Sequence, residues 1–396
     1  MNHSRKMSTH WLHPRALLMF KFAPYLLKTL WRHRGRTMLT VSGSAVALFV
    51  FCFVGSVQEG MDRLTSQSDS TLIVFQANKF CPATSHLPQD YDQIIGKMPG
   101  VQEVVPIQVF TNNCRASLDV VVFYGVPAEK IQKIRDFDLT EGSWDEFESN
   151  QDAGIVGESV ARRRNLKLGT KFSVGEVKVT VAGIFNSPDR SEEDYVYTHL
   201  DFLQRTPGMN LVGTVTQHEV VLDDSADAVR TSSLIDDEFR AGPVETDTRT
   251  KGVFQASSLA DLVELIELSH YLGYACIGLM TMLISTTAFM AVQDRIKEHS
   301  VLQTLGFSDS IVFALVLAES ILISVGGGVV GTGVAMLTLA GSGLSVGAEA
   351  VTIAFSPSVG LALTGLVGSL AVGIAAGVLP AVAAARADII NGLRQA

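Results

Sequence analysis

The chain reads as an α-helical membrane protein with four transmembrane helices, one before and three after a large α+β extracytoplasmic domain. Three observations predict this. Charged side chains make up 18% of the 396 residues, against ~25% in a typical soluble domain. The charge is also uneven: residues 1–58 hold eight Lys/Arg and no acid, whereas 59–267 hold 19 basic and 34 acidic residues and carry −15. Finally, four stretches are long and apolar enough to cross a bilayer. A disordered chain is excluded, and an ordinary cytosolic enzyme is disfavoured.

Crossing a ~30 Å hydrocarbon core takes roughly 20 apolar residues. Residues 38–57 contain no charge, 268–292 only His270, 311–340 only Glu319, and 357–379 lie inside the charge-free run between Glu349 and Arg386. The first stretch exceeds the usual 7–15 residues of a signal-peptide core and lacks a small-x-small cleavage site after it, so an uncleaved anchor is expected. Lys/Arg placement orients the spans. The basic segment 1–37 stays in the cytoplasm and 58–267 lies outside. Residues 293–310, with Arg295 and Lys297, return inside; 341–356 form a short external loop without Lys/Arg. The tail 380–396, with Arg386 and Arg394, is cytoplasmic. The expected location is the cell's inner membrane with both termini cytoplasmic. Residues 25–36 alternate Leu26, Leu27, Leu30 and Trp31 with basic residues, as an amphipathic helix on the inner leaflet would.

In the block 58–267, alternating apolar patterns predict strands over 71–77, 102–110, 120–126, 171–185 and 217–222, and helices over 158–166 and 226–239. Residues 58–68 and 258–268 read as helical stalks continuous with the first and second spans. Cys52 and Cys276 fall in spans as small buried apolar groups. Cys81 and Cys114 are the two cysteines of the outer block and are expected to form a disulfide in an oxidising compartment. Two Cys with scattered His lack a zinc-ligand spacing.

Catalytic patterns are missing from the sequence. There is no Gly-x-x-x-x-Gly-Lys-Ser/Thr phosphate loop, no His-Glu-x-x-His and no Gly-x-Ser-x-Gly. Arg162, Arg163 and Arg164 read as a solvated helix face, and Glu192, Glu193 and Asp194 as a solvated acidic loop. No metal, cofactor or nucleic acid is expected on this chain.

Residues 293–308 place Arg295, Glu298, Leu302, Leu305 and Gly306 in an R-x-x-E-x-x-x-L-x-x-L-G pattern. This resembles a signature of MacB/FtsX-type ABC transporter permeases, where it links two spans. His299 and Ser300 stand where Ile-Gly is commoner. Leu317, Glu319 and Ser320 are similar to the family's Leu-x-Glu-Ser, and the tail from Pro380 to Arg394 resembles its ending, with Ile389 where Pro is common. Val156-Gly157-Glu158-Ser159, Leu168-Gly169 and residues 179–185 resemble the MacB-like periplasmic core domain.

The resemblance implies a permease subunit without nucleotide-binding motifs, working with a separate ABC ATPase subunit that holds ATP and Mg. It also implies a second permease copy, a homodimer or close paralogue, with a periplasmic adaptor as a further candidate partner. Arg295, Lys297 and Glu298 would be docking charges for the ATPase. Glu319 is an intramembrane acid expected to hydrogen-bond to a neighbour, with proton or substrate handling as the alternative. Gly327 and Gly331, and Gly373 and Gly377, permit close helix approach, within the chain or between copies. The implied activity is export or extraction by mechanical transmission; the alternative is signalling that activates a cell-wall hydrolase.

Overall fold

The structure, a computed structural model, describes residues 28, 30–32, 34–66, 70–79, 84–111, 120–135, 137–206, 211–342, 344–348 and 350–386. It divides into two compact units: a membrane unit within Met1–Val54, His270–Thr338 and Ser358–Ala396, and an inserted domain of Gly55–Ser269 joined by Leu339–Pro357. The Cys81–Cys114 pair and most of the 25–36 helix lie outside the described residues.

The membrane unit is built on α1 (Arg34–Ser66), α2 (Ala260–Asp294), the short α3 (Ile296–Thr304), α4 (Asp309–Ser342) and α5 (Val359–Ala385). All but α3 are long and apolar enough to cross a membrane. Helices form there because hydrocarbon offers the backbone no hydrogen-bond partner. Leu48, Met280, Ile284, Val372 and Ala376 make one interior cluster; Val292, Val312, Val316, Ala381 and Ala384 make a second. Ser324 Oγ donates to the Ser369 carbonyl at 2.6 Å, tying α4 to α5.

Small residues set how closely these helices approach. A Cβ at Gly327 would overlap Ser44, and one at Gly331 the Ala45 carbonyl, both on α1. A Cβ at Gly373 would sit 2.9 Å from Ile321 Cα, and one at Gly377 2.8 Å from Ser320 Cβ, both on α4. Both glycine pairs therefore face partners within the chain.

The inserted domain carries twelve strands before α2: β1 (Thr71–Gln76), β2 (Leu87–Pro88), β3 (Val101–Thr111), β4 (Val122–Val126), β5 (Asp138–Gly142), β6 (Ala153–Gly157), β7 (Lys171–Val174), β8 (Val177–Asn186), β9 (Tyr195–His199), β10 (Thr214–Val215), β11 (Gln217–Leu222) and β12 (Thr246–Thr250). Ten form one sheet in the order β12-β1-β11-β3-β4-β9-β6-β8-β5, with β7 also on β8. The pairs β4/β9 and β6/β8 are parallel; the others in this sheet are antiparallel. β4 is buried on both faces, which explains its unbroken apolar run. Val122, Tyr124 and Val126 enter a cluster with Phe147, Phe185 and Tyr197, while Val121 and Phe123 enter another with Val160, Val179 and Leu203. A third cluster packs Leu72, Val74 and Val220 under Ile235 and Phe239 of the helix Ala228–Phe239.

Three local readings change. The strand expected over 171–185 is a hairpin, because Gly175 takes φ +58° and turns β7 back onto β8. The stalk expected over 258–268 divides at Leu259 between the helix Lys251–Ser258 and α2. The segment read as a short loop over 341–356 contains a hairpin, β13 (Ser345–Ala348) and β14 (Val351–Ala354). Its side chains complete the inserted domain. Ala350, at φ +71°, joins the cluster of Tyr124 and Tyr197, and Thr352 Oγ1 donates to the Ser191 carbonyl at 2.7 Å.

Candidate coupling site

The membrane helices end in a knot of charge around α3. α2 stops at Asp294, and Arg295 leaves helical geometry at φ −117°, ψ 17° before α3 starts at Ile296. Gly306, at φ +95°, makes the turn toward α4. Arg295 does not join the outward docking charges expected of it. Its side chain is 9% exposed and its Nη1 lies 3.3 Å from Glu319 Oε2 on α4. The guanidinium is held inward because a carboxylate among apolar helices costs several kcal/mol unless paired. Arg36 Nη1 reaches Asp294 Oδ2 at 3.1 Å, tying α1 to the end of α2. Arg36, Thr40, Arg295, Glu319 and Ser320 line a cavity of ≈ 20 Å³, room for about one water.

With Arg295 and Ser300 turned inward, the opposite side of α3 is open. Lys297 and Glu298 are exposed, Val301 is 47% exposed and Leu305 71% exposed. Lys297, Val301 and Leu305 recur every four residues and so form one stripe. Arg32 Nη1 lies 3.6 Å from Glu298 Oε1, with both side chains well exposed, a contact worth about 0–1 kcal/mol. Leu302 sits on the same helix. The structure thus gathers Lys297, Glu298, Leu305 and Gly306 on open surface and assigns Arg295 with Glu319 to internal packing.

The inserted domain holds polar groups that sequence reading missed. Arg135 follows the helix Ala128–Ile134 and is buried; its Nη1 and Nη2 donate to the two oxygens of Glu219 at 2.7 and 2.8 Å, and its Nε donates to Tyr197 Oη at 2.9 Å. Burial alone would lower the Arg135 pKa, and Glu219 reverses this to leave it well above its ordinary value. Burial alone would raise Glu219, yet Arg135 and then Lys251 hold that carboxyl below its usual range. Glu192 lies 3.6 Å from Arg135 Nε and 3.7 Å from Lys251 Nζ. No spacing rule links positions 135, 192, 219 and 251.

The 192–194 segment is therefore not a solvated loop. Glu193 and Asp194 are buried, Ser159 Oγ donates to Glu193 at 2.7 Å, and Arg163 Nη1 lies 2.7 Å from Asp194. Nor is the 162–164 run only a solvated face, since Arg163 Nη1 also donates to Ser345 of β13 at 3.1 Å. The reason is the same in both cases: the acidic turn lies under the hairpin, and burial forces each carboxylate to find a donor.

These features define a multi-pass membrane protein with a mixed sheet domain inserted after its first span. The MacB-like periplasmic core domain family matches residues 37–237, and the FtsX-like permease C-terminal family matches 272–389. The chain belongs to the MacB/FtsX-type family of ABC transporter permeases. Membership makes it the membrane permease part of an ABC-type system and implies an ATPase partner.

An ABC transporter permease of Methanocaldococcus jannaschii, described as uncharacterized, is 21% identical over 326 residues, 78% of this chain and 80% of that protein. The macrolide export ATP-binding/permease proteins MacB of Nitrobacter winogradskyi and Vibrio parahaemolyticus are 22% and 23% identical over 90% and 91% of this chain. The chain spans 58% of the length of each. Among solved structures, the periplasmic region of MacB from Actinobacillus actinomycetemcomitans matches 48% of this chain and 92% of its own, at 13% identity and a TM-score of 0.36. The extracellular domain of the transporter YknZ from Gram-positive bacteria matches 46% of this chain and 100% of its own, at 17% identity and a TM-score of 0.34.

Proposed function

We propose that this chain couples ATP hydrolysis on an ABC ATPase subunit to motion of its inserted domain, which lies outside the membrane and moves an export substrate mechanically. ATP and Mg belong to the ATPase, carried on a separate chain, and two permease copies assemble with two ATPase subunits. The observation that carries this reading is the open stripe of α3, where Val301 and Leu305 stand exposed beside Lys297 and Glu298. Exposed apolar residues framed by charge suit a protein partner, and the ATPase is the partner the family implies. The Lys/Arg distribution supports cytoplasmic termini in the inner membrane. Macrolide export, for which the MacB relatives are named, supports an amphiphilic cargo; an adaptor protein on the outer side is part of the same reading.

The test uses the membrane complex purified with its ATPase. Glu298→Lys and Leu305→Asp should each weaken ATPase association or ATP turnover, the first by about 2–5 kcal/mol where the charge is desolvated at the contact. Glu148→Lys, on an exposed site of the inserted domain, should do neither. Glu192 would be an unsuitable control because it faces the buried Arg135 and Lys251. Wild-type assembly and turnover in both α3 variants would remove α3 as the docking element. Recovery of a cell-wall hydrolase in place of an adaptor would favour signalling over export.

A further inference from the structure

We infer that the recess where β14 leads toward α5 binds one phospholipid headgroup, an ethanolamine phosphodiester. The recess measures about 340 Å³ and is lined by Gly60, Arg63, Asp189, Arg190, Ser356 and Pro357 among others, within the ~300–1,000 Å³ of ordinary ligand sites. Its place along the chain is the first argument. Gly60 lies on α1 three residues after Val57, where the charge-free stretch ends, about 5 Å along the helix. Pro357 stands two residues ahead of Val359, the first residue of α5. Both lining segments therefore lie where apolar helices leave the bilayer, at the depth of headgroups.

Charge is the second argument. Arg63 is fixed at the recess, its Nη1 donating to Ser356 Oγ at 2.8 Å and its Nη2 to Glu59 Oε1 at 2.9 Å. Arg190 is exposed on the facing loop. Beside it, Asp189 is held by its Oδ1, which accepts from the Ser191 amide at 2.9 Å. Guanidinium groups suit the two unesterified oxygens of a phosphodiester. A carboxylate beside them suits the primary ammonium of the same headgroup. A quaternary ammonium has no N–H to give Asp189, so phosphatidylcholine should bind less well. The inference goes beyond the coupling reading and does not depend on it, because lipid binding is read without the ATPase.

The experiment titrates the full chain in detergent with dioleoyl-phosphatidylethanolamine, -phosphatidylcholine or -phosphatidylglycerol and counts adducts by native mass spectrometry. One phosphatidylethanolamine should bind per chain, at least fivefold tighter than phosphatidylcholine. Arg190→Glu should weaken that binding fivefold or more, and the milder Arg190→Gln should act in the same direction should the reversal misfold. Asp189→Asn, which can still accept from the Ser191 amide, should bring phosphatidylethanolamine down to the phosphatidylcholine level and leave phosphatidylglycerol unchanged. Arg205→Glu, at another exposed position, should bind as wild type. Equal phosphatidylethanolamine binding in wild type and both Arg190 variants would overturn the inference. Displacement of the lipid by an equal concentration of inorganic phosphate would also overturn it, in favour of a soluble anion.

Discussion

Asp194 is fully buried and its carboxyl is pushed up to about 6 from 3.8, because burial outweighs the Arg163 guanidinium beside it. His218, also fully buried, is pushed down to about 4 from 6.5 by burial, with its Nε2 3.2 Å from the Pro88 carbonyl. The two act oppositely. Between pH 4 and 6 the folded state holds the Asp194 proton that the unfolded state has lost, so this group's contribution to stability falls as pH rises. Over pH 4–6.5 the unfolded state holds the His218 proton that the folded state lacks, so that contribution rises with pH. Each is on the order of 3 kcal/mol, and the two oppose each other. Hydrogen exchange of β9 amides in the full chain should show stability rising from pH 4 to 6 in Asp194→Asn and falling in His218→Asn, with wild type flatter than either. Parallel profiles in all three would refute the assignment. None of this was legible in the sequence. A run of three like charges looks the same whether solvated or paired, and the partners of Asp194 and Glu219 lie 31 and 84 positions away.

At the scale of elements, the four spans and the strands β1, β3, β4, β8 and β11 were legible because burial imposes an apolar pattern on the residues that form them, whereas β5, β6, β9 and β12 were not. β11 occupies the residues its pattern predicts, 217–222. The hairpin β13–β14 was illegible because its burial comes from a domain assembled more than a hundred positions earlier. Its residues Val351, Thr352 and Ile353 are all buried, so alternation is absent. Edge strand β12 is absent from the strands the sequence predicts, and so is its protection: Asp236 accepts from the Thr248 amide at 3.1 Å, occupying a backbone donor on which another chain could pair. The glycines of α4 give a paired prediction. Gly331→Ala places a methyl against the Ala45 carbonyl, whereas a Cβ at Gly333 meets nothing within 4 Å. The first should lower the thermal stability of the detergent-solubilised protein by about 1–3 kcal/mol; the second should raise it by up to ~1 kcal/mol through helix propensity. Equal responses would mean that α4 does not lie against α1 at this point.

For the whole molecule, the sequence already separates two environments by charge. The −15 of residues 59–267 and the basic leader of 1–58 predict opposite sides for the inserted domain and for α3. Reporter fusions at Gly100 and Ser308 should therefore report opposite compartments; equal reports would sink the four-span arrangement. Which face of each span meets lipid was not legible, since the helices are apolar all round. The structure leaves Tyr271, Leu272, Leu279 and Met282 of α2 more than half exposed, the surface a bilayer or a second copy would cover. The segment 293–308 was legible as a motif, but its division was not: periodicity around a nine-residue helix cannot tell an arginine that seals Glu319 from a lysine that faces outward.

The hairpin between α4 and α5 has a consequence for biogenesis. A ribosome finishes β1 through β12 long before it reaches Ala350 and Val351, and it must first deliver two spans to the membrane. Until then the domain lacks the residues that close the face formed by Tyr124, Tyr195 and Tyr197. The sheet already waits on distant partners, since β4 pairs with β9 across some seventy residues. Closing the last face adds a requirement from the far end of the chain. The inserted domain is therefore expected to complete its core only after the third span has been synthesised, so a chain that stalls before that point should be the more sensitive to proteases. Packing of the hairpin thereby links maturation of the inserted domain to synthesis of the chain beyond its third span.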